Sequence, residues 1–336
     1  MKKSENHVFF KEFTLESSQK IENLKINYHT FGELNQYSEV VWVCHALTAN
    51  SDVSDWWNGL FGANDYFDKE EYFVVCANII GSCYGSTGPL SEKSNGEKFF
   101  QNFPLITPRD MANAHELLRE KLNISEINLL IGSSLGGQQA QEFSFILREK
   151  LKNLILIATN AFHSPFGIAF NEAQRLAISA DSTFELNIEN GGEKGLKAAR
   201  SIAMLSYRSY ESYNKTQSEQ DLNKTDEFKA SSYQNYQGQK LVNRFNAYSY
   251  WTLTKAMDSH NIGRNRTSIR DALEEISAKT LVIGISSDLL FPLSEQEFLA
   301  KTIPNATLKI IDSIFGHDGF LVETEKLDEI INEFLK

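Results

Sequence analysis

The sequence predicts an α/β protein in which helices cover both faces of a mostly parallel sheet and a helical segment interrupts the core. Short, almost continuously apolar runs occur in both the N-terminal and the C-terminal parts of the chain. Runs of this kind are typical of strands that are buried on both faces. A helical pattern separates two of the runs, and such alternation favours crossover helices in a parallel sheet.

Six apolar runs are predicted to be strands: 40–46, 72–79, 127–133, 151–159, 280–286 and 307–311. Between the second and third strands, residues 109–121 place apolar side chains at helical spacing, which predicts a crossover helix. From about residue 161 to residue 266 we find no strand pattern. The sequence therefore predicts one core, residues 1–160 and 267–336, which is interrupted by a helical lid at 161–266.

Within the lid, residues 195–205 and 248–257 have helical patterns. The stretch 211–229 between them is polar and charged and has little apolar surface to bury. A segment of that composition rarely gains enough from burial to become ordered, so we expect it to be mobile.

Composition excludes several classes of function. Hydrophobic residues make up 41% of the 336 residues and charged residues 23%, which is typical of a globular enzyme. The net charge of −11 argues against a nucleic-acid partner, because phosphate binding requires a basic surface. No run of 18 apolar residues predicts a membrane span, and the first residues lack the apolar segment of a signal peptide. Three cysteines without a pairing pattern suit a reducing compartment, so we expect a cytoplasmic protein.

Residues 132–136 read Gly-Ser-Ser-Leu-Gly and lie where a predicted strand meets a helix. This is the G-x-S-x-G pattern of a nucleophile elbow, in which a serine occupies a sharp and strained turn. Small residues are needed two positions before and after that serine, and Gly132 and Gly136 meet this need. Ser134 is therefore the candidate nucleophile. The alternative is that Ser134 only caps the following helix.

A serine nucleophile requires a base and a group that orients the base. In enzymes with this elbow the acid and then the histidine follow the serine along the chain. Asp288 comes directly after the predicted strand 280–286, and His317 follows the strand 307–311. His317 is the only histidine after Asp288, although each residue could instead be a turn residue. The order predicts a Ser-His-Asp triad on an α/β-hydrolase fold.

The tetrahedral intermediate of acyl transfer requires two backbone N–H donors. One is expected from Leu135, the residue after the nucleophile, and the other from Leu47 in the loop after the first predicted strand. His45 in the same loop is interpreted as a structural residue that holds the loop. Cys83 is also interpreted as structural, because no base lies near it in sequence.

Eight segments together resemble the homoserine O-acetyltransferases, an α/β-hydrolase family of amino-acid O-acyltransferases in methionine biosynthesis. The resemblance extends over nearly the whole chain, including the lid. The segments are YHTFGELN (28–35), CHALTANSD (44–52), GSCYGSTGP (81–89), GSSLGGQQA (132–140), HSPFGIAFNEAQRLAI (163–178), NRFNAYSYWTLTKAMDSHNIGR (243–264), SDLLFP (287–292) and GHDGF (316–320).

The resemblance implies roles for further residues. Arg200 matches the arginine that binds the homoserine carboxylate, and Asp318 matches the carboxylate that binds its amino group. Tyr207 matches a lid tyrosine near that site. One fixed cation and one fixed anion suit a zwitterionic amino acid. The resemblance also implies a ping-pong reaction that needs no metal and no permanently bound cofactor, and a homodimer formed through the lid.

The acyl donor is implied by Leu290, the second residue after the predicted triad aspartate. In the family an arginine at this position accompanies succinyl-CoA and a leucine accompanies acetyl-CoA. An apolar side chain offers no partner to the free carboxylate of a succinyl group. We therefore expect acetyl-CoA as the co-substrate and L-homoserine as the acceptor.

Four alternatives remain open at this stage. The acceptor could be serine, the donor could be succinyl-CoA, or water could replace the acceptor, which would make the protein an esterase. A catalytically silent binding protein on the same fold is the fourth alternative.

Overall fold

The computed structural model describes residues 2–336, and in this range the strands form a single eight-stranded sheet. The strands are β1 (Lys3–Thr14), β2 (Lys20–Phe31), β3 (Glu39–Cys44), β4 (Tyr72–Ala77), β5 (Ile127–Ser133), β6 (Leu151–Ile157), β7 (Lys279–Ile285) and β8 (Ala306–Ile311). Their order across the sheet is β1-β2-β4-β3-β5-β6-β7-β8. All pairs from β4 to β8 are parallel, whereas β1 and β2 pair antiparallel at one edge.

Apolar side chains on both faces of the sheet belong to two separate buried clusters. On β3, Trp42 and Cys44 belong to one cluster, whereas Val41 and Val43 belong to the other. Successive side chains of a strand point to opposite faces, so a continuously apolar strand must be covered on both sides. The sheet is therefore the middle layer of three.

The layers on either face and the insertion are helical. The α-helices in the described residues are α1 (Val53–Trp56), α2 (Pro108–Lys121), α3 (Leu135–Leu147), α4 (Pro165–Ser179), α5 (Glu193–Tyr207), α6 (Tyr210–Gln217), α7 (Lys229–Val242), α8 (Ala247–Asp258), α9 (Ile269–Glu274), α10 (Leu293–Thr302), α11 (Gly319–Val322) and α12 (Thr324–Leu335). Helices α4 to α8 lie within the segment predicted to be the lid. Among residues 2–336, no helix combines the length and the hydrophobicity that a membrane span requires.

The six strands predicted from apolar runs are all present, and none of their ends differs from the prediction by more than two residues. The crossover helix predicted at 109–121 is α2, which begins one residue earlier at Pro108. Thr107 caps it, since its hydroxyl accepts a hydrogen bond from the N–H of Asp110.

The hairpin of β1 and β2 was not predicted. The two strands pair along their whole length, from Lys3 opposite Phe31 to Thr14 opposite Lys20. Alternate residues of β1 are exposed because the hairpin lies at the edge of the sheet, so the strand has no continuous apolar run to detect.

The first part of the segment 211–229, which is predicted to be mobile, forms a helix. Helix α6 covers most of that part, and the hydroxyl of Ser209 caps the helix by accepting a hydrogen bond from the N–H of Ser212. A side-chain cap can therefore mark the start of a helix in a segment that has little apolar surface to bury.

A cluster of ion pairs connects the C-terminal end of the lid to the core. Glu142 on α3 is almost fully buried and binds both Arg109 of α2 and Arg266, which follows α8. Glu16, in the loop after β1, binds Arg109 and Arg264. The segment that leaves the lid is therefore fixed to the face of the sheet that carries α2 and α3.

Candidate active site

Ser134 occupies the turn between β5 and α3 in a conformation that few non-glycine residues adopt, with φ 54° and ψ −125°. The neighbouring glycines make this turn possible. A Cβ atom on Gly132 would lie 2.2 Å from the carbonyl oxygen of Gly136, and one on Gly136 would lie 2.0 Å from that of Cys44. Both contacts are far too short, so a larger residue would force the turn open. The side chain of Ser134 does not cap α3, which removes the alternative interpretation of this residue.

The structure brings Ser134, His317 and Asp288 into one hydrogen-bonded chain. Nε2 of His317 lies 2.9 Å from Oγ of Ser134, and Nδ1 lies 2.7 Å from Oδ2 of Asp288. The other carboxylate oxygen of Asp288 accepts hydrogen bonds from the backbone N–H groups of Leu290 and Phe291. All three side chains are buried. In this arrangement a base is hydrogen-bonded to the serine and a carboxylate orients the base. Such an arrangement activates a hydroxyl for attack on a carbonyl.

Aromatic rings hold the imidazole of His317 in place. Phe291 stacks on it with ring centroids 5.0 Å apart, and Phe320 meets it edge to face at 5.3 Å. Tyr207 of the lid contacts it at 5.6 Å. A ring packed on several sides can change its hydrogen-bond partners only by small rotations, which suits a base that serves two proton transfers.

The loop after β3 is held by His45. Nδ1 of His45 donates to the carbonyl of Ala46 at 2.8 Å, and Nε2 accepts a hydrogen bond from the N–H of Ile79 at 3.2 Å. Burial lowers the pKa of His45 to about 4, so the ring is neutral at physiological pH. These contacts agree with a structural role, and they fix the backbone next to Leu47.

A cavity of about 420 Å³ opens onto the nucleophile. Its lining includes Ser134 and His317 together with Leu47 from the loop after β3. The same cavity contains the three residues implied by the family resemblance to contact the amino acid: Arg200, Tyr207 and Asp318. Leu135 and Leu290 are not among the lining residues. Leu135 begins α3 directly behind Ser134, and Leu290 is buried in the core.

Arg200 is available for an anionic ligand. Its guanidinium lies over the ring of Tyr207, 5.2 Å from the centroid, and no carboxylate of the described chain pairs with it. Burial raises the pKa of Tyr207, so this hydroxyl remains a hydrogen-bond donor rather than an anion.

Three charged side chains of the cavity were missed by sequence reasoning: Asp55, Lys240 and Arg244. Together with Arg200 and Asp318 they give the cavity three cations against two carboxylates, in a chain whose net charge is −11. Arg208 was missed as well, and its Nε lies 2.9 Å from Oδ2 of Asp318. No spacing rule connects Asp55 or the three lid residues to the triad, because they are far from it in sequence and only the fold brings them together.

Arg244 connects the lid to the loop after β3. Its guanidinium donates to the carbonyl of Thr48 and to the hydroxyl of Tyr84, the latter at 2.6 Å. Its own carbonyl lies 3.6 Å from Sγ of Cys83. Burial raises the pKa of the Cys83 thiol to about 11, which agrees with a structural role for this cysteine rather than a nucleophilic one.

Nothing in residues 2–336 groups three or more His, Cys, Asp or Glu side chains in a way that would hold a metal ion. What the cavity does contain is the hydroxyl of Ser134, the imidazole of His317 that is hydrogen-bonded to it, the candidate oxyanion donor Leu47, and separate positive and negative groups. That set is suited to acyl transfer to a small zwitterion.

Comparison with known proteins gives a consistent result. A family model described as the alpha/beta hydrolase fold matches residues 39–324. A homoserine O-acetyltransferase of Cyclobacterium marinum is 48% identical over 323 residues, which cover 96% of this chain and 92% of that protein.

Solved structures agree with the sequence comparison. The crystal structure of a homoserine O-acetyltransferase from Staphylococcus aureus superimposes with a TM-score of 0.82 at 30% identity, covering 98% of this chain and 96% of that one. The enzyme of the same name from Bacillus anthracis has a TM-score of 0.90 over 99% and 98% of the two chains. Its identity is 23%, so that likeness shows the fold alone.

Proposed function

The chain belongs to the homoserine O-acetyltransferases, a family with the α/β-hydrolase fold, and on that basis we propose how its residues move the acetyl group. The fold and the family expected from the sequence motifs are both confirmed. The reaction is the transfer of an acetyl group from acetyl-CoA to the hydroxyl of L-homoserine, which gives O-acetyl-L-homoserine and CoA. The observation that supports the mechanism below is the hydrogen-bonded chain from Ser134 through His317 to Asp288.

In the first half of the reaction, Ser134 becomes acetylated. His317 removes the proton from Oγ, and the oxygen attacks the thioester carbonyl of acetyl-CoA. The backbone N–H groups of Leu47 and Leu135 stabilise the oxyanion of the tetrahedral intermediate. The C–S bond then breaks, and the CoA sulfur leaves with the proton that His317 had taken.

In the second half, homoserine replaces CoA. Arg200 binds the carboxylate of the amino acid and Asp318 binds its ammonium group, so that the side-chain hydroxyl faces the acetyl group. His317 removes the hydroxyl proton, the oxygen attacks the acetyl carbonyl, and the ester leaves as Ser134 regains its proton. Arg200 supports this assignment because it lies in the cavity without a protein carboxylate to pair with.

The lid has two roles in this proposal. It supplies Arg200 and Tyr207, and it limits the access of water, which would otherwise hydrolyse the acetyl-enzyme. The three cations of the cavity also favour the approach of anionic CoA to an acidic protein.

Acetyl-CoA is the proposed donor and no further cofactor is needed. Leu290 supports acetyl over succinyl through the family pattern only, because its side chain is buried in the core rather than exposed in the cavity. Its backbone N–H also holds Asp288, which ties this position to the geometry of the triad.

We also propose a homodimer formed through the lid, in a cytoplasmic protein. Apolar side chains on the lid are unusually exposed, including Leu176, Leu186 and Leu205, each with more than half of its surface accessible. The cysteines are free, with Cys44 and Cys76 buried in strands, which suits a reducing compartment. Light scattering of the purified protein measures the oligomeric state directly.

The experiment that tests the function is a matrix of two donors against two acceptors. Acetyl-CoA and succinyl-CoA are each combined with homoserine and with serine, and CoA release and ester formation are measured together. We expect rapid ester formation only with acetyl-CoA and homoserine. CoA release at the same rate with and without an acceptor would instead indicate a hydrolase.

A further inference from the structure

Arg208 and Asp318 form an ion pair at the boundary between the lid and the loop of the catalytic histidine. Nε of Arg208 lies 2.9 Å from Oδ2 of Asp318, and the two side chains are only 22% and 12% exposed. The N–H at Nε does not point at the carboxylate closely enough to form a hydrogen bond. Within residues 2–336 no hydrogen bond ends on this carboxylate either. Its charge is therefore compensated while its oxygens remain able to accept hydrogen bonds from a ligand.

Asp318 lies in the same cavity as Arg200, which carries the opposite charge. Two opposite charges in a partly dry cavity attract each other strongly. If they paired, neither would be available to a zwitterionic amino acid. Arg208 instead forms the ion pair with Asp318, and Arg200 remains stacked on the ring of Tyr207.

The backbone fixes this arrangement. Gly316 has φ 65°, and a Cβ atom there would lie 2.8 Å from the carbonyl oxygen of Tyr207 and 2.9 Å from the nitrogen of Ser209. The hydroxyl of Ser209 donates to the carbonyl of Ile314. The end of α5 and the histidine loop are thus packed backbone against backbone, which sets the position of Arg208 relative to Asp318.

We infer that Arg208 is a positioning residue for the amino-acid acceptor: it holds Asp318 away from Arg200 so that the acceptor's ammonium and carboxylate groups each find a free partner. Arg208 has no part in the formation of the acetyl-enzyme. The inference rests on the proposed function, because it concerns the acceptor of that reaction.

The test compares two acceptors in the variants R208Q and R208K. Homoserine carries the ammonium group and 4-hydroxybutyrate lacks it, although both carry the carboxylate and the hydroxyl. In R208Q we expect KM for homoserine to rise about tenfold or more, because Asp318 then pairs with Arg200 and the charge-assisted contacts of both groups with the amino acid are weakened. KM for 4-hydroxybutyrate should rise as well, because its carboxylate also needs a free Arg200. The burst of CoA release without an acceptor should change less than about twofold. R208K retains the positive charge and should restore part of the homoserine affinity.

Two further variants serve as references. D318N removes the carboxylate that could pair with Arg200, so it should raise KM for homoserine but leave the weak acetylation of 4-hydroxybutyrate within about twofold of the wild type. R270Q changes an exposed arginine of α9 and should behave as the wild type in every assay. Thermal unfolding of each variant shows whether the fold is retained. If R208Q does not fold, the same comparison of acceptors is made with R208K.

A purely structural role for Arg208 predicts a different result. R208Q would then slow the CoA burst and both acceptors by the same factor, with a lower unfolding temperature, and that outcome overturns the inference. An unchanged KM for homoserine in R208Q also overturns it. A wild-type protein that does not acetylate homoserine would contradict the proposed function itself, before any variant is compared.

Discussion

Ser134 has a backbone conformation that costs stability. A non-glycine residue in such a sparsely populated region costs about 1–3 kcal/mol, and it persists only where the surrounding structure enforces it. Here β5 and α3 enforce it from either side, and the close approach of Gly132 to Gly136 leaves no room to relax. The strain is retained because it points Oγ at the imidazole rather than at the helix.

This strain can be measured by comparing S134G with S134A. Both variants lack the nucleophile and should be inactive, but glycine adopts the observed φ and ψ without strain. We expect S134G to have a free energy of unfolding about 1 kcal/mol above that of S134A, after the entropy that glycine adds to the unfolded chain is subtracted. Urea denaturation measures the difference. If S134G is no more stable than S134A, the turn is not strained.

At the scale of single residues, the sequence predicted what chain order and strand ends determine. Ser134, Asp288 and His317 each follow a strand, and parallel strands end at the same edge of the sheet, so these side chains were expected to meet. Arg208 and Arg244 were not predicted. Their partners come from remote segments, and an arginine just after a helix has the same appearance in sequence whether its guanidinium faces solvent or binds another part of the protein.

At the scale of elements, the lid contacts the catalytic loops in two places with different consequences. The end of α5 packs on the histidine loop through Gly316 and places Arg208 beside Asp318. The segment after α7 reaches the loop after β3 through Arg244, which binds the carbonyl of Thr48. In the proposed mechanism the first contact affects only the acceptor, whereas the second affects both half-reactions, because each passes through an oxyanion that the N–H of Leu47 would stabilise.

The variant R244Q should therefore slow acetylation and deacetylation of Ser134 together. Loss of the contact to Thr48 loosens the loop that presents the N–H of Leu47, and we expect a decrease of about tenfold in both steps, which is less than the loss of a whole oxyanion donor. KM for homoserine should stay nearly constant. Rapid-quench measurement of both steps at saturating substrates provides the comparison.

The control for R244Q is K215Q, which changes an exposed lysine of α6 that lies outside the cavity. In K215Q, acetylation and deacetylation of Ser134 should both proceed at the wild-type rates. A variant R244Q that raises KM for homoserine but leaves acetylation unaffected would show that Arg244 acts on the acceptor instead of on the loop.

Elements differed in how far the sequence could predict them. The parallel strands are buried on both faces and therefore stand out as apolar runs, such as β5. The edge hairpin of β1 and β2 was not predicted because alternate side chains face solvent. Helix α6 was not predicted because a capping serine, rather than a buried apolar face, defines where it begins.

At the scale of the whole molecule, buried titratable groups make stability depend on pH. Burial lowers the pKa of His45 and His115 to about 4, and that of His163 and His260 to about 3. In the unfolded chain these groups titrate near 6.5. Between pH 6.5 and 4 the unfolded state therefore binds more protons than the folded state, and the free energy of unfolding falls as the pH decreases.

Two buried carboxyl groups act in the opposite direction. Burial raises the pKa of Asp110 to about 6 and that of Glu295 to about 7, so each binds its proton more tightly in the folded state. Their contribution is present at low pH and is lost as the pH rises through those values. Four histidines outweigh two carboxyl groups, so we expect a net loss of stability on acidification from pH 6.5 to 4. Urea denaturation at several pH values measures it, and constant stability over that range would contradict the assignment of neutral histidines.

The variant E295Q isolates one of the opposing groups. The amide stays neutral at every pH, whereas the carboxyl must ionise in a partly buried site near Asp288 when the pH exceeds about 7. E295Q should therefore gain stability relative to the wild type at pH 8 and show little difference at pH 5. An equal difference at both pH values would mean that Glu295 does not titrate in this range.

The central claim is that Ser134 carries the acetyl group between CoA and homoserine. The most direct measurement is mass spectrometry of the peptide that contains Ser134, after the protein is mixed briefly with acetyl-CoA and no acceptor. The mechanism predicts one acetyl group on Ser134, none in S134A, and rapid loss of the group as O-acetyl-L-homoserine when homoserine is added. Absence of acetyl from Ser134 while the wild-type protein still forms the ester, or loss of the acetyl group to water at a rate that homoserine does not change, would contradict the account.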